Sequence, residues 1–252
     1  MEYFVAEHSI VRKIWGKGDT ILLIFAGAAA EFALNRAVDW LYFTGRLPKD
    51  PIGRLFSTVA YARQIVFSEH HIAMKAIDKM RMIHSSVETS RGAAIPDWAY
   101  RDVLFMLIHY SIASFEVLER KLSGEEKEDI YTVFYNIGTR MGVKDLPLNY
   151  KDWLDVREQH LNEHLEKSTY TIDLHKQYKK HLGAFRYKVL REAQILVVPP
   201  IVRKLLDLGR FSLLAPAVPV YKLTRTLKMD WLLKSVLLPS EHKEAIKQLD
   251  IA

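Results

Sequence analysis

The sequence predicts an all-α single domain. Apolar residues recur at helical spacing almost throughout, and capping residues stand ahead of several apolar stretches. No segment alternates convincingly enough to be a strand. At 252 residues the chain is long enough to bury a sizeable core, and its 49% hydrophobic and 26% charged residues are ordinary for a globular protein. There is no cysteine, which excludes disulfides, thiolate haem ligation, iron–sulfur clusters and a cysteine nucleophile.

The N-terminus, MEYFVAEHSIVRK, starts acidic and has no long apolar run, so no signal peptide is expected. Helix is predicted from about Glu7 to Phe43, broken near Gly16 to Gly18. Thr20 to Leu34 is too short to span a bilayer and carries Glu31, which favours a buried helix. Gly27 among Ala26, Ala28, Ala29 and Ala30 makes a slim surface, suited to a helix crossing or to a flat cofactor. Gly45 to Lys49 reads as a loop.

Asp50 followed by Pro51 opens the next helix, running to about Phe67: a carboxylate caps free amides, and proline is tolerated at the first helical position. Arg54 and Thr58, spaced i, i+4, leave one face of it. His70 and His71 are boundary residues with no ligand role, since neighbours on a helix diverge by about 100°. The following helix carries Ile77, Met80, His84 and Val87 on one apolar stripe and closes at Arg91-Gly92. Taken alone, a histidine in that position is more often a hydrogen-bonded core residue than a ligand.

Pro96 to Lys121 is predicted helical, with Trp98, Phe105, His109 and Ile112 along one side. Ser123 and Glu126 form a capping box for a helix whose stripe is Ile130, Phe134, Ile137 and Met141. Tyr150 to Lys167 contains His160-Leu161-Asn162-Glu163-His164, which fits the H-x-x-E-H zinc pattern. A stripe of Leu154, Leu161 and Leu165 leaves those histidines on a charged face. The expectation is therefore a solvated surface, and no zinc chemistry is assigned to it. A last long helix, Ser168 to Val198, carries Leu174, Tyr178, Leu182, Phe185 and Leu190. Proline-broken pieces follow Pro199-Pro200.

No Glu-x-x-His occurs, so the diiron carboxylate pattern is absent, as are hydrolase, phosphate-loop and dinucleotide signatures. The formal net charge of +6 is concentrated late. From Lys176 to Lys234 there are thirteen Lys or Arg against Glu192, Asp207 and Asp230, whereas Ile112 to His175 is net acidic. Such asymmetry suits a polyanionic or membrane-surface contact, or a plain solvated basic face, and both stay open. No nucleic-acid-binding motif is present.

The stretch from Asp50 to Val87 resembles the rubber oxygenase (latex clearing protein) and MpaB-type oxygenase family. The pattern D-P-x-G-R-L-x-x-T, then I-H-x-x-V, falls on Asp50, Pro51, Gly53, Arg54, Leu55, Thr58, Ile83, His84 and Val87. LIHYSIASFE loosely matches a further motif through His109. GVKDLP matches the family's turn, and the late L-L-P resembles its C-terminal end.

The resemblance implies a globin-like helical core with additional helices over about Ile10 to Leu249. It implies haem b with His84 on the iron, Arg54 and Thr58 beside the haem as binding and catalytic groups, and His109 near the pocket. Dioxygen and a small apolar substrate, alkene-bearing and of the prenyl or lipid kind, are the implied reactants. Two departures from the rubber-cleaving branch are visible. FAGAAAEFALNRAVDWL keeps its glycine-alanine character but lacks the expected histidine and proline, with Asp39 near the position of a distal carboxylate. Ser57 replaces a lysine. These keep open a haem peroxidase, sensor or electron-transfer protein, and the basic C-terminal segment keeps open a non-enzymatic helical protein docking on acidic membranes. A cytoplasmic location, with or without membrane association, is the corresponding expectation.

Overall fold

The structure, a computed structural model, describes residues 2–45 and 49–226. The expected closing turn and helix near Pro239 lie outside the described residues. Among the described residues there are eleven helices and no strand, only the isolated bridges Tyr3–Glu69 and Asn35–Leu165. The fold is all-α, as the periodicity predicts. No helix among the described residues is long and apolar enough to cross a membrane.

The first predicted helix is three. Helix α1 spans Ile10–Trp15, α2 Gly18–Phe32 and α3 Val38–Phe43. The second break, at residues 33–37, is held by bonds to a later part of the chain: Glu166 N–H donates to Leu34 O at 2.8 Å, Arg36 N–H to His164 O at 3.0 Å, and Thr171 Oγ1 to Ala33 O at 2.7 Å. Backbone groups satisfied across the fold need no helical partner, so the helix ends there.

Helix α2 is buried along most of its length, Ile21, Ile24 and Ala30 being fully enclosed. Its principal neighbour is α6, Asp97–Leu118, whose Tyr110 ring lies where a Cβ on Gly27 would stand. The slim surface of α2 is thus a helix crossing at this point.

Helix α4 (Pro51–Phe67) and helix α5 (His70–Arg91) form a hairpin. Asp50 caps α4 as predicted, accepting Gly53 N–H at 2.8 Å. A side chain on Gly53 would collide with that carboxylate. Along α5 burial thins from Ile77, fully enclosed, to Met80 and His84, partly so, while Met82 and Ile83 are exposed. Helix α7 (Gly124–Met141) has the predicted capping box of Ser123 and Glu126 and buries Ile130, Phe134 and Ile137.

Helix α8 (Tyr150–His164) buries a different face from the one predicted. Leu154 is exposed, and the inward residues are Trp153, Arg157 and His160, with His164 mostly covered. Helix α9 (Thr169–Val197) starts from a second capping box at Ser168 and bends at Gly183, where φ is +76°. The bend resets the helical phase: Leu174 and Tyr178 are buried before it, but Phe185 is exposed after it. Short helices α10 (Pro200–Leu205) and α11 (Ala217–Thr226) complete the described chain.

Candidate functional site

The hairpin of α4 and α5 brings together three of the four residues singled out from the sequence. Thr58 Oγ1 donates to Arg54 O at 3.1 Å, one turn back on α4, so the two side chains rise from the same face. The Arg54 charge acts on His84 from across the hairpin. His84 meets the ring of Tyr100 on α6 edge-on, with centroids 5.4 Å apart. Its Nδ1 is buried and has no hydrogen-bond partner among the described residues. Burial, with the Arg54 charge beside it, holds this imidazole below its ordinary pKa, against the opposing pull of Glu88. The ring is therefore kept in the neutral form, the one that binds metals.

Asp39 does not stand free near this group. It accepts from Arg91 Nη2 at 2.6 Å, and the Arg91 guanidinium lies over the Trp40 ring at 4.0 Å. Arg91 is seven residues after His84 and so shares its face of α5. Its Nη1 is a second buried nitrogen without a partner among the described residues. Ser57 Oγ is turned back to Arg54 O at 2.8 Å.

His109 lies elsewhere. It is nine residues beyond Tyr100 on α6, about 13 Å further along and close to the opposite face. Its Nε2 is 3.3 Å from Val197 O, and its ring meets Tyr110 edge-on. Burial and the Arg157 charge hold its pKa down to about 3. The structure thus sets His109 against α8 and the end of α9, away from the Tyr100 side of α6 that meets His84.

The α8-facing side of α6 carries a polar cluster that sequence reasoning missed. Asp102, buried, accepts from His160 Nδ1 at 2.5 Å and from His164 Nδ1 at 3.0 Å. Asn35 Nδ2 donates to Asp102 Oδ2 at 2.7 Å, its amide oriented by Ala37 N–H, which bonds Asn35 Oδ1 at 2.9 Å. The three side chains Asp102, His160 and His164 each offer a ligand atom, all within 4.8 Å of one another. One turn earlier on α8, Arg157 Nη2 reaches Glu31 Oε2 at 2.5 Å, and Tyr110 OH donates to the same oxygen at 2.9 Å. The expectation of a solvated histidine face is therefore corrected. Partners on α2, α6 and the 33–37 segment make it possible to bury α8's polar side, because Arg157, His160 and His164 each make at least one hydrogen bond there. The available signal was an acid, Asp102, set directly before the apolar run VLFMLI, together with two histidines one helical turn apart.

The structure is thus an all-α fold that buries several imidazoles and arginines among its helices. Residues 12–229 match the family described as ER-bound oxygenase mpaB/B'/Rubber oxygenase, catalytic domain, and the chain belongs to that family of oxygenases. No curated protein matches it.

Proposed function

We propose that this member of the oxygenase family is haem-dependent, with His84 holding the iron of a b-type haem and an apolar, alkene-bearing lipid or prenyl chain as substrate. The observation that carries this reading is the buried, partnerless Nδ1 of His84, in a ring kept neutral beside Arg54. A buried imidazole without a partner loses hydrogen-bonding free energy, and a bound group that orders the ring accounts for its retention.

The residues around His84 fit the group in charge as well. Arg54 acts on the imidazole and Arg91 follows two turns on along the same face of α5; both suit the carboxylates of a porphyrin, Arg91 having a buried Nη1 to offer. Haem iron, when bound, supplies the dioxygen chemistry. Thr58, already engaged with Arg54 O, steadies the turn from which Arg54 projects. Tyr100 fixes the plane of the His84 ring from the other side, its phenol tied to Glu88 at 3.2 Å. His109, neutral to about pH 3, carries no charge toward this centre and acts as packing.

The test is dioxygen uptake by the purified protein on adding an unsaturated lipid or a polyprenyl chain. Wild type should consume dioxygen, and His84→Ala should not. Dioxygen uptake that survives in His84→Ala would defeat the proposal, and substrate oxidation that proceeds with peroxide and without dioxygen uptake would favour a peroxidase.

A further inference from the structure

We infer that Asp102, His160 and His164 form a binding site for a divalent first-row transition ion of the zinc or ferrous class, separate from the His84 centre. Two imidazoles with one carboxylate are a donor set that such ions select. His160 and His164 sit one turn apart on α8, and Asp102 meets them from α6, so a single ion would pin two helices together.

The spacing suits this. Ligands bonded to one ion at about 2.1 Å lie about 3.0–3.4 Å apart. The Nδ1-to-carboxylate separations here are 2.5 Å for His160 and 3.0 Å for His164, so a small opening admits the ion in place of the shared protons. The rings are held ready without it. Trp98 stacks on His164 with centroids 4.3 Å apart, Phe105 leans on His160 at 5.2 Å, and Asn35 fixes the carboxylate.

Charge argues the same way. A buried carboxylate needs a positive partner. Arg157, which stands one turn before His160, bonds Glu31 and shares its single charge between that carboxylate and Asp102, leaving the two buried acids one fixed cation between them. A cation at Asp102 supplies the other charge, and α8 ends at His164, where a helix C-terminus favours positive charge. Glu163, the remaining member of the H-x-x-E-H pattern, is half exposed with its carboxylate 3.9 Å from His164 Nε2. It is not turned into the cluster as a water-activating base, so the site is one of binding and cross-linking and not of peptide hydrolysis.

The experiment uses the full chain, treated with a chelator and then titrated with Co²⁺ as a spectroscopic probe and Zn²⁺ as competitor, alongside thermal melts. Visible cobalt bands should saturate at one ion per chain, Zn²⁺ should abolish them, and either ion should raise the melting temperature. His164→Gln, at the more exposed ligand, should lose the bands while keeping its helical circular dichroism. Asn35→Ala should weaken binding by about 10–100-fold. Glu163→Gln and His84→Ala should titrate like wild type, which separates this site from the haem reading. A featureless titration with no melting shift, or cobalt bands unchanged in His164→Gln, would overturn the inference.

Discussion

Removing the Glu31 carboxylate is the sharpest test of how this core tolerates charge. Glu31 and Arg157 are 1% and 5% exposed, and they meet at 2.5 Å with Tyr110 OH sharing the same carboxylate oxygen. Glu31→Ala strands a buried guanidinium and an acceptor-less phenol. Breaking a buried pair from one side costs about 3–5 kcal/mol. The lost phenol bond falls within that figure, because both groups relax around the same vacancy. A destabilisation of about 4 kcal/mol corresponds to a fall of about 12 °C in melting temperature for a chain of this size. Urea unfolding followed by circular dichroism measures it directly. The double variant Glu31→Leu with Arg157→Met should recover most of that loss, retaining about 1–3 kcal/mol for the Tyr110 phenol left without its acceptor, since an apolar pair of similar volume needs no desolvation. A single variant within about 1 kcal/mol of wild type, or a double variant less stable than the single, would show that the buried Glu31–Arg157 pair does not hold this core together.

Two further outcomes follow from particular groups. Asp50→Ala removes the carboxylate that caps α4 and should cost about 1 kcal/mol, read as a shifted denaturation midpoint; an unchanged midpoint would show that the cap is idle. His109 has its pKa depressed to about 3 by burial and by Arg157, so the unfolded chain binds its proton first. The stability it contributes is complete above the unfolded value of about 6.5 and is lost as pH falls towards about 3. His109→Phe should flatten the acid limb of the stability profile over that window, and an unaltered limb would contradict the burial assigned to it.

The fold was legible where the signal is local. Asp50-Pro51, the Ser123–Glu126 box and the stripe of α7 each depend on neighbours within a few residues, and each stands where periodicity and capping place it. The grouping of Arg54, Thr58 and His84 also follows from one hairpin. What escaped depends on distant partners. The 33–37 break is set by residues 164–171, and the phase change in α9 by a single left-handed glycine. The inward face of α8 was misread because leucines outrank arginine and histidine in any local pattern. Burial of Arg157, His160 and His164 makes sense only once Glu31 and Asp102 are seen opposite them. His109 lay on a correctly predicted stripe, but a shared stripe does not say which neighbouring helix it faces.

Haem ligation by His84 is measured most directly by the visible absorption spectrum of the purified protein, expressed with ample iron, beside that of His84→Ala. Wild type should show an intense Soret band with about one haem per chain, lost or much weakened in the variant although its helical content is unchanged. A colourless wild type, or a band that persists undiminished in His84→Ala, would contradict that ligation.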